Sequence, residues 1–446
     1  MPFHKFDETI FALASGQGRA GVAVIRLSGS DSFYITGQLA PHLTANKTAK
    51  LSRLYHPDTH QLLDNALVLG FKGPHSFTGE DVIEFHVHGG MAVIESIFDA
   101  LAFFPNVRLA EPGEFSRRAF ENGKMDLTSV EGLADLIDAE TESQKQQAMR
   151  QMHGELGELY TQWRETLIKS LAHIEATIDF AEEDIPDDLE KQAINQLESL
   201  LKSIYDHLND GKRGQRLRDG VSVVIIGPPN AGKSSLLNAV AKRDAAIISA
   251  TPGTTRDIVD VHMVLSGVPV ILSDTAGLRL TIDDIEAEGV RRALDKNQQA
   301  DLTVVLLDGA SWPNIDDQTQ RLISDQSMVF VNKADLLEDI SDLHYPTISV
   351  KSGQGMDAFI NTLNKYVHQI AAETSTPVIT RERHRSSLHR CAEALEQGLS
   401  VWKQSTGAEL VAEDLRIAST ELGRITGRVD VEDLLDVIFA DFCIGK

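Results

Sequence analysis

Four short stretches carry residue types whose order and spacing suit the handling of a nucleoside triphosphate. Gly227-Pro228-Pro229-Asn230-Ala231-Gly232-Lys233-Ser234 can wrap a phosphate in backbone N–H groups, with Ser235 next in line. Lys233 is placed to reach the β- and γ-phosphates, and Ser234 to hold magnesium. Asp274-Thr275-Ala276-Gly277 supplies a carboxylate for the outer side of that magnesium and a Gly277 amide for the γ-phosphate. Asn332-Lys333-Ala334-Asp335 then selects the base. The Asp335 carboxylate can accept from both N1–H and the exocyclic amine of guanine. Adenine offers neither donor there, and leaving the acid unpaired costs roughly 10⁴- to 10⁵-fold in discrimination. The Lys333 stem can lie against the ring. The Ser349-Val350-Lys351 loop adds a backbone N–H for the guanine oxygen.

Two details depart from a Ras-like switch. Leu278 stands where such switches carry a water-orienting glutamine, so another group must position water; Asp283, Asp284 and Glu286 follow shortly downstream. No arginine finger is evident. Asn230 offers a side-chain oxygen beside the phosphates, where a monovalent cation could supply the missing positive charge. Equally, Asn230 could only stabilise the turn of the loop, and the residue types leave both readings open.

The elements that must position these groups read as βα alternation from about Val221 to Val378. Val221–Ile226, Val268–Ser273, Leu302–Leu307 and Met328–Val331 are apolar runs of the kind buried in parallel sheets. Before them, the first 120 or so residues read as mixed α/β. Strands are expected over Gly21–Leu27, Ala66–Phe71 and Val82–Val87, and a helix over Val93–Leu101. From Met125 the pattern becomes helical. Ala148, Met152, Leu156, Leu159, Trp163, Leu167, Leu171, Ile174 and Ile178 form one expected stripe, and Ile194, Leu197, Leu201, Ile204 and Leu208 a second. The acidic turn Glu182–Asp188 between them predicts an antiparallel pair. After Val378 helices return without strands, so the nucleotide domain is expected as an insertion within a helical domain whose two halves pack together.

At 446 residues the chain has room for two to four domains. Two cysteines, Cys391 and Cys443, exclude a disulfide framework and point to a reducing cytoplasm. Neither an export signal nor a transit peptide is evident at the N-terminus, and no apolar run suits a membrane span. The net charge of −24 argues against broad coating of nucleic acid and leaves room for a local basic site.

With Ser76-Phe77-Thr78-Gly79-Glu80-Asp81, His88-Gly89-Gly90, Gly123-Lys124-Met125-Asp126-Leu127, Gly253-Thr254-Thr255-Arg256-Asp257 and the terminal Cys443-Ile444-Gly445-Lys446 added, the chain closely resembles the MnmE (TrmE) family. These are tRNA-modification proteins among the TrmE-Era-EngA-YihA-Septin-like GTPases. The resemblance covers the whole length. It implies a multidomain α/β plus α architecture: an N-terminal α+β folate-binding and dimerisation domain (1–122), a discontinuous helical domain (123–217 and 379–446), and an inserted P-loop, Ras-like GTPase domain (218–378).

It also implies that GTP-driven dimerisation triggers hydrolysis. Asn230, Ser249, Thr251 and Thr254 would surround potassium, Ser234 and Thr255 would bind magnesium, and Glu286 would orient the attacking water. A tetrahydrofolate one-carbon donor would meet Arg26, Glu84, Lys124 and Lys446. Without the resemblance, Arg26 and Glu84 read as strand charges and Cys443 as packing; with it, Cys443 joins the expected catalytic residues Glu286 and Lys233. The implied partners are a second copy of the chain, tRNA and the flavoprotein MnmG, which carries FAD. Together they would place an aminomethyl-type or carboxymethylaminomethyl group on carbon 5 of the wobble uridine. The competing readings are a ribosome-assembly GTPase, which needs neither the N-terminal domain nor the tail, and a scaffold with a vestigial nucleotide site.

Two basic runs flank the insertion: Lys212, Arg213, Arg216 and Arg218, then Arg381, Arg383, Arg385 and Arg390. They should converge where the chain enters and leaves the insertion. Such a collar could bind phosphate of tRNA or an acidic partner, or could be solvated charge alone.

Overall fold

The computed structural model describes residues 8–41, 49–179, 187–209, 212–243, 260–274, 300–324, 327–337, 344–371, 377–404, 407–429, 431–440, 442 and 444–445. The chain divides into two compact units. One comprises Met1–Ala134, Gln151–Leu200 and Arg390–Lys446; the other comprises Asp135–Arg150 and Leu201–His389.

The first unit opens with β1 (Thr9–Leu13), β2 (Ala20–Ser28), α1 (Ser32–Leu39), β3 (Lys50–Tyr55), β4 (Leu62–Phe71), β5 (Val82–Gly89), α2 (Met91–Ala102), β6 (Val107–Leu109) and α3 (Glu114–Glu121). The strands form one sheet in the order β3-β4-β5-β2-β1-β6, antiparallel except for β1 beside β6. Period-two alternation divides β5 between two faces. Ile83, Phe85 and Val87 join Ile25 and Leu27 in a core closed by Ile35, Ile94 and Ile97. Glu84 therefore falls on the other face, in register with Arg26 of β2. The expected strands and helix appear here; β1, β3 and β6 are additions. In β3 only Leu54 is buried, so it lacks the apolar alternation that would announce it.

Next come α4 (Leu127–Asp138), α5 (Glu142–Met152), α6 (Glu155–Asp179), α7 (Asp187–Asn209) and α8 (Arg213–Asp219). The single stripe expected from Ala148 to Ile178 is broken: α5 ends at Met152 and α6 starts at Glu155, with Gly154 between them at φ +91°. Within α6 the buried large apolar side chains among the described residues are Leu156, Tyr160, Leu167 and Ile174, one face at steps of four and seven.

The second unit holds β7 (Val221–Ile226), α9 (Lys233–Arg243), β8 (Asp260–Leu265), β9 (Val268–Asp274), β10 (Leu302–Asp308), α10 (Asp317–Leu322), β11 (Ser327–Asn332) and α11 (Met356–Ala371). Strand order is β11-β10-β7-β9-β8, parallel throughout except for the β8–β9 hairpin. Val223, Ile225, Leu272, Val304, Leu306 and Phe330 fill one side of this sheet with Phe359 and Leu363 of α11. Because β7, β9, β10 and β11 run the same way, their C-terminal ends share one edge of the sheet. That edge is where open parallel sheets bind ligands.

The chain closes with α12 (Glu382–Lys403), α13 (Ala408–Thr426) and α14 (Glu432–Ala440). Helix α6 packs along α13. The apolar face of α6 thus finds a partner more than two hundred residues away, as expected of a helical domain whose two halves pack together. Val431, Leu435, Phe439 and Phe442 pack on Leu127 and Val130, tying the C-terminal segment into the first unit.

Candidate functional site

The parallel sheet delivers its chemistry through strand ends. β7 ends at Ile226 and the glycine-rich loop follows, feeding the N-terminus of α9 at Lys233. The helix dipole and its unpaired N–H groups favour an anion at this point. Gly232 has φ +96°, and a Cβ added there would lie 2.3 Å from Nδ2 of Asn332, so only glycine lets the loop approach that side chain. Lys233 is buried and its Nζ donates to the carbonyls of Gly227 (2.8 Å) and Pro228 (3.0 Å). Burial pulls its ammonium below the ordinary lysine range, and the nearby charge of Asp274 works in the opposite direction. Ser234 Oγ donates to Asp274 Oδ2 at 2.5 Å, joining the start of α9 to the end of β9. Ser235 is exposed on the same turn.

The base-recognition end is braced by a buried amide. Asn332 Nδ2 donates to the carbonyl of Ala231 at 2.7 Å, and Asn332 Oδ1 accepts from the Val350 N–H at 3.2 Å. One side chain thus ties the phosphate loop to the Ser349–Lys351 loop. Asp335 is exposed and accepts from Ser349 Oγ at 2.7 Å. That hydrogen bond holds the Asp335 carboxyl below its usual range, so it stays an acceptor at neutral pH. Lys333 sits at φ +60° and its Nζ donates to Asp308 Oδ2 at 2.7 Å. Sequence reading missed Asp308. Its signal was available: it ends a buried apolar strand at the same sheet edge as Asp274 and Asn332.

A second constellation lies in the first unit. Arg26 reaches Glu84 across β2 and β5 through Nε (2.9 Å) and Nη2 (2.8 Å). Its guanidinium lies 5.3 Å from the Phe77 ring centroid and 5.7 Å from that of Phe115. Neither ring was anticipated from sequence, because each belongs to a loop or helix that only the fold brings to β2. The loop carrying Phe77 is pinned by fully buried Arg118, which bonds Glu80 at 3.0 Å and Glu114 at 2.9 Å. Lys124 Nζ donates to the Pro74 carbonyl at 2.9 Å. The tail reaches this domain as well. Ile444 bridges Pro112, and a Cβ on Gly445 (φ +99°) would lie 2.1 Å from the Leu13 carbonyl. Leu13 adjoins Ala12, the register partner of Arg26.

Ser249, Thr251, Thr254, Thr255, Gly277, Glu286, Cys443 and Lys446 lie outside the described residues. The basic runs do converge in part. Asp135 Oδ1 accepts from Arg218 Nε at 3.0 Å and from Arg381 Nη2 at 2.7 Å. The open positive collar is not what results. Arg216 pairs with Asp301, Arg385 donates to the Leu208 carbonyl and Arg390 pairs with Glu421, so carboxylates and a carbonyl take up most of these charges.

The family model for the MnmE helical domain matches residues 127–443, and that for the GTP-binding protein TrmE N-terminus matches 9–124. A tRNA modification GTPase MnmE from Parvibaculum lavamentivorans is 52% identical over 98% of this chain and 100% of its own length. That of Paramagnetospirillum magneticum is 50% identical, covering 99% and 100%. The human mitochondrial protein named 5-taurinomethyluridine-tRNA synthase subunit GTPB3 is 46% identical over 98% of this chain and 93% of its own. With both family models matched in sequence order and relatives alike from end to end, the chain belongs to the MnmE family.

Proposed function

We propose that this chain is a potassium-activated GTPase that modifies carbon 5 of the wobble uridine of certain tRNAs, acting as a homodimer with the flavoprotein MnmG. The observation carrying the nucleotide half is the strut through Asn332, which joins the phosphate loop at Ala231 to the base loop at Val350. Relatives named tRNA modification GTPases support the RNA half.

The phosphate loop and the start of α9 would bind the triphosphate, and Asp335 would accept from the guanine edge. Lys233 would leave its loop carbonyls for phosphate oxygens. Ser234 and Asp274 are hard oxygen donors already in contact, and such donors suit magnesium. Ser234 and Thr255 would hold it; Asn230, Ser249, Thr251 and Thr254 would hold potassium. When bound, the two cations neutralise charge on the phosphates. Glu286 would orient the attacking water, taking the part that Leu278 cannot play.

In the first unit, a charge pair flanked by two aromatic rings suits a flat heterocycle with N–H donors, such as the pterin of a reduced folate, whose N–H edge a carboxylate can accept from. Arg26 and Glu84 would bind it, with Lys124 and the tail residues Cys443 and Lys446 beside them. A bound tetrahydrofolate would supply a one-carbon unit.

The test is nucleoside analysis of tRNA from cells lacking the chain. We expect the C5 substituent of the wobble uridine to be lost, restored by the intact chain, and not restored by Lys233→Ala. Full restoration by Lys233→Ala would contradict the proposal.

A further inference from the structure

We propose that Asp308 is a positioning residue for purine binding, acting by holding the Lys333 side chain in the place where the base is stacked. This rests on the reading of the second unit as a guanine-nucleotide site.

Asp308 is the last residue of β10 and pairs in parallel register with Asn332, the last residue of β11. Both of its oxygens are engaged. Oδ1 accepts from the Ala310 N–H at 2.9 Å, which fixes the carboxylate in the loop after β10. Oδ2 accepts from Lys333 Nζ at 2.7 Å. The backbone between these loops is tied too: the Gly309 N–H donates to the Asn332 carbonyl at 2.9 Å. Lys333 itself is held at φ +60°, a left-handed conformation uncommon for lysine. Both ends of its four-carbon stem are therefore fixed, the Cα by the backbone and the ammonium by Asp308.

A free lysine stem samples many rotamers, and ordering one on binding weakens affinity. Pre-ordering by Asp308 removes that cost before the base arrives. The pair is half-exposed at the lysine and largely buried at the aspartate. Asp335 reads the base edge; Asp308 contributes only through the face, by way of Lys333. Its effect is therefore blind to the exocyclic amine of the purine.

The experiment measures equilibrium binding of GDP, IDP and ADP to the full chain, the Asp308→Asn and Asp308→Ser variants, Lys333→Met, and the Asp308→Asn/Lys333→Met double variant. Both replacements at 308 keep an acceptor for the Ala310 N–H and remove the anion, so the loop is retained. We expect each to weaken GDP and IDP equally, by roughly three- to ten-fold. The double variant should bind like Lys333→Met alone, because Asp308 acts only through that side chain. Affinity unchanged at Asp308→Asn and Asp308→Ser, a loss confined to GDP, or multiplicative losses in the double variant would overturn the proposal. Failure of the parent to prefer GDP over ADP would instead overturn the nucleotide reading beneath it.

Discussion

The side chains of the nucleotide site are set as much by what they touch as by what they would bind. Lys233 is buried on loop carbonyls and Asp335 accepts from a serine hydroxyl that lowers its carboxyl, so hydrogen bonds within the chain hold both charges in place. A titratable group far from this chemistry makes a sharper prediction. Burial, with the charges of His384 and Arg385 beside it, pushes the His207 imidazole down to about 4. An unfolded histidine takes up its proton near pH ~6.5. Between about pH 6.5 and about 4 the unfolded chain therefore binds more protons than the folded one, and stability falls as pH falls through that window. By pH 5 the loss amounts to about 2 kcal/mol. Thermal unfolding at pH 7.5 and pH 5 should show a larger drop for the parent than for His207→Gln; equal drops would contradict the assignment. Among residues, motif members were legible because their chemistry fixes their type. Asp308 and Phe115 were not, and Phe77 stood in a motif without a role, since a strand-end carboxylate and two aromatic rings gain meaning only from neighbours that the fold supplies.

At the scale of elements, the sheet explains the site. Four parallel strands ending at one edge bring Gly227, Asp274, Asp308 and Asn332 together, and their apolar runs announced that much from sequence. What sequence concealed were elements that bury little or lie far apart along the chain. β3 has one buried residue, and β8 is an edge strand among the described residues that buries Met263 and Leu265 alone. The helical stripe was read as continuous because its spacing ignores Gly154. That the two helical halves pack together was legible, but an apolar face does not say which helix it meets, and α6 meets α13. Asp135 in the last turn of α4 receives both Arg218 and Arg381, which joins α8 to residues 377–381 through one carboxylate. Asp135→Ala should therefore cost about 1–2 kcal/mol, since it removes the carboxylate that Arg218 and Arg381 share while Arg218 keeps Asp219. Unfolding followed by hydrogen exchange should show the loss at α8 and residues 377–381 first. Undiminished protection there would argue against the clasp.

For the whole molecule, the net charge of −24 and the pairing of Arg216, Arg218 and Arg381 with carboxylates argue against broad coating of nucleic acid. Among the described residues no helix is long and apolar enough to cross a membrane. Ile444 and Gly445 meet the first unit at Pro112 and Leu13, so residues from both halves of the sequence contribute to it. The central claim is that the second unit hydrolyses a triphosphate chosen by its guanine edge. The most direct measurement is phosphate release from GTP, ATP and XTP in potassium buffer, by the intact chain and by Asp335→Asn. The account expects the parent to cleave GTP and the variant to prefer XTP, because an amide donor matches the 2-oxo group of xanthine; neither should cleave ATP. Cleavage of ATP by the parent as fast as GTP would contradict it.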